Sequence, residues 1–196
     1  RQRLSVQGNG ALVEFGEARF VDEHAISLNG KTLSARYWVI ATGSSPSSAP
    51  IPGLDGTRYM TNREIFYLDR LPRSMIVLGG GPIGIEMAQA FNRLGTEVHV
   101  IQRSGEILTK EDKDMADEVM GRMASEGVRF HLKASTRAVR DLGEEKEVTV
   151  ESGGDEKKLR AEALLVALGR DANLSGLGLE DIGVAFDKRG LELDER

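Results

Sequence analysis

Six consecutive residues, Gly79-Gly80-Gly81-Pro82-Ile83-Gly84, have the type and spacing to hold a diphosphate. In such a turn the first glycine permits a tight bend out of a strand. The second lets a pyrophosphate approach the backbone, and the third lets the following helix pack close to the sheet. The helix start then presents unpaired N–H groups and a partial positive charge to the phosphates. Gly79, Gly81, Ile83 and Gly84 are therefore candidates for cradling a dinucleotide. Glycine turns are common, so the elements on either side decide whether this one means anything.

Those elements are legible. Met75 to Leu78 is a short apolar run of the kind buried in a parallel sheet. From Pro82, which suits a first helical turn, Ile83, Met87, Phe91 and Leu94 recur at helical spacing until Gly95 stops the pattern. Thr96 to Ile101 then alternates as a second strand, ending about 20 residues past the turn, where βαβ units read the ribose. A carboxylate there would select NAD by accepting from the 2′-OH. The chain instead has Gln102 and Arg103. An amide does not repel a 2′-phosphate and a guanidinium can grip one, so the reading favours NADP over NAD. Gln102 could also hydrogen-bond a free 2′-OH.

Composition narrows the alternatives. The 196 residues carry 26 basic and 31 acidic side chains, a net charge of −5, with no basic stripe of the kind nucleic acid requires. No apolar run is long enough to span a membrane and no signal peptide is evident, so a soluble, cytoplasmic chain is expected. With no cysteine, disulfides, thiolate catalysis and cysteine-ligated metal are excluded within these residues. His24, His99 and His131 stand singly in strand-like contexts and are read as ordinary strand residues.

In order along the chain, residues 1–9 are polar and expected to fray. Ala11 to Phe20, Ala25 to Leu28 and Lys31 to Leu33 read as short antiparallel strands, with Asn29-Gly30 as a two-residue hairpin turn. Tyr37 to Ala41 reads as another strand, followed by a proline- and serine-rich connection. Thr61 or Asn62 could cap a short helix through Leu68. Lys110 to Glu126 is amphipathic, with Met115, Val119, Met120 and Met123 on one face and acidic residues crowding its start. Val128 to Leu132 is a third strand. Thr136 to Asp141, Glu147 to Glu151 and Lys158 to Arg160 read as a β-meander replacing a crossover helix, and Ala163 to Leu168 as the last buried strand.

Three stretches together, Trp38 to Gly53 (WVIATGSSPSSAPIPG), Val77 to Ile101 (VLGGGPIGIEMAQAFNRLGTEVHVI) and Leu164 to Asn173 (LLVALGRDAN), resemble the pyridine nucleotide-disulfide oxidoreductases, a family of flavoprotein reductases. The resemblance covers nearly the whole chain. It implies an α/β fold whose Rossmann-like NAD(P)-binding domain has a parallel sheet with helices on one face and a β-meander on the other, flanked by partial FAD-domain β segments. The implied divisions are 1–53, 54–172 and 173–196. By the same resemblance Glu17 and Ala18 would pass near the FAD adenine, and Ala41, Thr42 and Gly43 would lie against FAD. Glu86 would contact the nicotinamide end, and Thr136 and Gly169 would line the nucleotide. Pro82 stands where several relatives carry a tyrosine lid.

In that family an N-terminal βαβ unit holds the FAD pyrophosphate, a cysteine pair carries electrons, and a C-terminal domain builds a homodimer. None of these is recognisable here. The expectation is a central piece of a parent enzyme that passes hydride from NAD(P)H to FAD, with FAD held only in the parent and the piece inactive alone. Two alternatives remain: a reductase of a carrier protein or oxygen without redox cysteines, and a nucleotide-sensing module without chemistry of its own.

Overall fold

The computed structural model describes residues 10–47 and 49–194, so the expectation for residues 1–9 lies outside the described residues. The chain divides into two units, 1–45 with 171–196, and 46–170.

In the first unit β1 (Ala18–Asp22), β2 (Ala25–Leu28) and β3 (Lys31–Ser34) form an antiparallel meander. The turn between β2 and β3 is the expected one, because Asn29 and Gly30 both take positive φ, 52° and 75°. β4 (Ser44–Pro46) is the point at which the chain leaves the unit. Tyr37 to Ala41 does not form a strand. It keeps the alternation of one, with Trp38 and Ile40 packed inward and Tyr37 and Val39 exposed, but no described strand offers it N–H and C=O groups to pair with. The first expected strand is likewise shorter than read, since residues 11–17 lack a ladder.

The second unit carries the parallel sheet. β5 (Ser74–Leu78), β6 (Glu97–Ile101), β7 (Arg129–His131) and β11 (Ala163–Val166) lie in the order β11-β5-β6-β7. β5 runs into α1 (Pro82–Arg93), which returns the chain to β6, and α2 (Lys113–Ser125) leads to β7. Between β7 and β11 come β8 (Ser135–Asp141), β9 (Lys146–Ser152) and β10 (Asp155–Ala161), an antiparallel meander. Period-two alternation along buried strands separates the two faces. Met75, Val77, Val98, Val100 and Leu165 pack on Ile85, Ala88 and Phe91 of α1 and on Ala116 and Met123 of α2. Ile76, Leu78, Ile101, Leu164 and Val166 pack on Val139, Val148, Val150 and Leu159 of the meander. The sheet thus has helices on one face and the meander on the other.

α2 starts later than expected, at Lys113, and the methionine stripe is narrower. Met123 is fully buried and Val119 and Met120 pack on the core, whereas Met115 is 59% exposed, one position off the buried row of Ala116, Val119 and Met123. The helix expected to end at Leu68 is a single 3-10 turn, Glu64–Tyr67. Its start is a reciprocal cap: Glu64 Oε2 accepts from the Thr61 N–H (2.8 Å) and hydroxyl (2.6 Å), and the Arg63 N–H donates to Thr61 Oγ1 (3.2 Å).

The remaining residues return to the first unit through β12 (Arg170–Ala172), which pairs with β4, and end in the ribbon β13 (Phe186–Asp187) and β14 (Gly190–Leu191). Leu174, Leu177, Leu179 and Ile182 join Phe20, Ile26 and Trp38 in one cluster, with the Phe20 and Trp38 rings edge to face at 5.7 Å. Residues before β4 and after β12 therefore share a core. The expected divisions at 53/54 and 172/173 fall elsewhere than these units, because residues 52–54 are held in the second: the Val139 N–H donates to the Pro52 carbonyl (2.8 Å) and Leu54 is buried against the meander.

Candidate nucleotide site

A parallel sheet brings every strand's carboxyl end to one edge, and here that edge gathers Gly79, Gln102, Lys133 and Ala167 to Gly169. Each glycine of the turn has a distinct physical role. Gly79 takes φ +108°, and a Cβ there would lie 2.3 Å from the Ala167 carbonyl oxygen. Gly84 begins the packed part of α1, where a Cβ would stand 2.1 Å from the Gly79 carbonyl oxygen. Gly81 is different: its backbone is ordinary extended chain (φ −78°, ψ 178°), and a Cβ would meet nothing within 4 Å. Neither strain nor packing requires glycine at 81, so what the missing side chain leaves is room above the backbone. The first-turn N–H groups of Ile83 and Gly84 have no acceptor within the helix, and no side chain caps it. This geometry fits a pyrophosphate.

The loop after β6 braces that turn. The Gly80 N–H donates to Gln102 Oε1 (3.2 Å) and the Gly80 carbonyl accepts from the Leu108 N–H (2.8 Å). Gln102 Nε2 donates to Ser104 Oγ (2.7 Å) and to the Glu106 carbonyl (3.2 Å). The Gln102 amide is therefore engaged on both atoms, its oxygen by the glycine turn and its nitrogen within its own loop. Arg103, next along, is exposed and has no hydrogen bond or ion pair among the described residues.

The other expected residues are placed as follows. Glu86 is exposed on α1, without a partner among the described residues. Thr136 is half-buried at the start of β8, beside an irregular register with β9. Gly169 takes φ +137°, and its carbonyl accepts from the Ser47 N–H at 3.0 Å. In the first unit Glu17 is exposed just before β1 and Ala18 is that strand's first residue. Ala41, Thr42 and Gly43 are exposed, and Asn173 anchors the last two by donating Nδ2–H to the Thr42 carbonyl (3.1 Å) and N–H to the Gly43 carbonyl (3.0 Å). Asn173 has no signal of its own in the sequence beyond its place in LLVALGRDAN.

The chain matches, over residues 3–196, the family described as pyridine nucleotide-disulphide oxidoreductase. It belongs to that family. Among its relatives, a mercuric reductase of Bacillus cereus is 35% identical over 175 residues, covering 89% of this chain and 28% of the relative. A dihydrolipoyl dehydrogenase of Geobacillus stearothermophilus is 34% identical over 196 residues, covering 97% of this chain and 42% of the relative. Among solved structures, the HOCl-induced flavoprotein disulfide reductase RclA from Escherichia coli superposes with a TM-score of 0.78 at 30% identity, covering 91% of this chain and 41% of that one. The chain thus spans less than half the length of the family members it matches. These relatives are oxidoreductases, and the mixed α/β architecture with its four-stranded parallel sheet is theirs.

One constellation was not legible in the sequence. His99 and His131, read as solitary, stand on neighbouring parallel strands with rings 5.3 Å apart and 7° from parallel, and Nδ1 of His99 lies 2.9 Å from Nε2 of His131. Burial, then the neighbouring His99, holds the His131 pKa down to about 4, and burial lowers that of His99 too. Among the described residues no group of three or more histidine and carboxylate side chains could hold a metal ion, and no helix is long and apolar enough to cross a membrane.

Proposed function

We propose that residues 46–170 bind the nicotinamide dinucleotide of a flavoprotein disulfide reductase, and that this dinucleotide is NADP(H). The carrying observation is Gly81, a glycine that the fold itself does not need, opening space above the first-turn N–H groups of α1. The bound dinucleotide supplies hydride, and FAD in the complete protein accepts it. The protein's own contribution is to bind and position. Gly79 and Gly84 hold the turn shut against Ala167 and the sheet, Gln102 fixes Gly80, and Ile83 and Gly84 donate N–H groups to the diphosphate. Glu86 contacts the nicotinamide end, and Thr136 and Gly169 line the nucleotide, as the family resemblance implies.

The NADP preference rests on Gln102, an amide where a carboxylate would favour NAD, and on Arg103 after it, a guanidinium without a partner among the described residues. Ala41 to Gly43, with Glu17 and Ala18, are the residues we assign to FAD contact in the complete protein. Because these 196 residues contain no cysteine, a redox dithiol would have to come from other parts of the polypeptide, and this stretch alone should not turn over. The complete protein is a cytoplasmic homodimer in this reading.

Calorimetric titration with NADPH and NADH tests the reading. Tighter NADPH is expected; equal or tighter NADH binding would overturn the NADP assignment, and no binding of either would overturn the site.

A further inference from the structure

We infer that Lys133 is a second cation of the nucleotide site, acting with Arg103 on the ribose 2′-phosphate; this rests on the NADP reading above. Nothing in the sequence marks Lys133, a lone lysine between the third parallel strand and the meander.

Three observations single it out. Lys133 is one of only three non-glycine residues with positive φ among those described, at 50°. A lysine rarely adopts that conformation, and a residue held there is held by its surroundings. Here the Lys133 N–H donates to the Ser104 carbonyl (2.8 Å), while the flanking Ala134 N–H donates to the Gln102 carbonyl (3.0 Å). The backbone of 133–134 is thus bonded directly to the loop that carries Arg103. The side chain goes the same way: its Cε lies 3.0 Å, and its Cγ 3.8 Å, from where a Cβ on Gly105 would be. Gly105, two residues past Arg103, leaves the channel along which the lysine stem runs.

The charge pattern completes the argument. Lys133 is exposed and, like Arg103, has no hydrogen bond or ion pair from its side chain among the described residues. Glu106, the carboxylate next to Gly105, instead faces Lys113 at 3.9 Å. Many other exposed cations of the second unit are paired: Arg93 and Arg122 with Glu126, Arg129 with Glu97, Arg137 with Glu151. Arg103 on this loop and Lys133 bonded to it through the backbone, both without a side-chain partner among the described residues and with the Gln102 amide already engaged, suit a dianionic phosphate monoester. A free 2′-OH, which carries no charge, would gain less from either.

Adenosine 2′,5′-bisphosphate and 5′-AMP, titrated into the full-length protein, isolate the subsite without any contribution from the nicotinamide. Wild type should bind the bisphosphate at least about tenfold tighter than 5′-AMP. K133N removes the charge while keeping a residue tolerant of positive φ, so the fold is not burdened. It should bring the ratio to within about threefold, and K133R should restore most of it; both should leave 5′-AMP binding and the urea midpoint unchanged. A wild-type preference that survives K133N intact overturns the role of Lys133 and leaves the NADP reading standing. No preference in wild type overturns both, and a loss of 5′-AMP binding in K133N shows a structural role instead.

Discussion

Replacing Gly81 by alanine should weaken dinucleotide binding and leave the fold untouched, a combination that few glycine substitutions produce. At φ −78° and ψ 178° an alanine is unstrained, and its methyl would meet nothing within 4 Å. Stability should hold or rise by about 0.4–1 kcal/mol, because alanine has fewer unfolded conformations to lose. The methyl would stand in the space through which a phosphate oxygen must come to reach the backbone N–H groups at roughly 2.9 Å. Binding should weaken at least about tenfold, about 1.4 kcal/mol. Gly84→Ala is the counter-case. Its Cβ would lie 2.1 Å from the Gly79 oxygen and 3.2 Å from the Gly79 carbonyl carbon, both backbone, so α1 must shift away from the turn. A cost of about 1–3 kcal/mol is expected, with binding impaired through the displaced helix. Urea unfolding followed by circular dichroism, paired with calorimetric titration of NADPH, separates the two. The reasoning fails if G81A binds NADPH like wild type, or if it loses as much stability as G84A.

Two further outcomes follow from side-chain contacts that only the structure shows. Gln102→Ala should weaken NADPH and NADH by the same factor, since the Gln102 amide braces Gly80; a selective loss of either nucleotide, read by the same titration, would place its amide on the ligand instead. Stability should fall as pH drops from about 6.5 toward 4. The pKa of His131 is lowered in the folded chain to about 4 by burial among His99, Lys157 and Arg129, with Glu97 beside His99 the nearby carboxylate. The unfolded chain therefore takes up the proton first, and the stabilisation present above 6.5 is lost progressively through that window. Urea midpoints of H131Q should change less than those of wild type between pH 7 and pH 5; parallel pH profiles would refute the assignment.

Much of the second unit could be read directly. The glycine spacing, the helical recurrence of Ile83, Met87 and Phe91, and the alternation of the strands placed βαβ and meander correctly, because each is a local pattern answering to a local geometry. Tyr37 to Ala41 shows the limit: its alternation was read correctly, but a strand also needs a partner's backbone groups, and pairing is not written in the segment itself. Met115 shows another, since one residue's offset from a buried row turns core into surface.

The sequence by itself determined which turn could hold a diphosphate and to which family the chain belongs, since both rest on residue types at fixed local spacing. Only the tertiary structure decided which glycines the packing requires, that the Gln102 amide is engaged by the glycine turn and its own loop, that His99 and His131 touch, and that Lys133 reaches the Arg103 loop. The reason is the parallel sheet: it brings the ends of strands separated by dozens of residues to one edge, and contacts made there have no period to betray them.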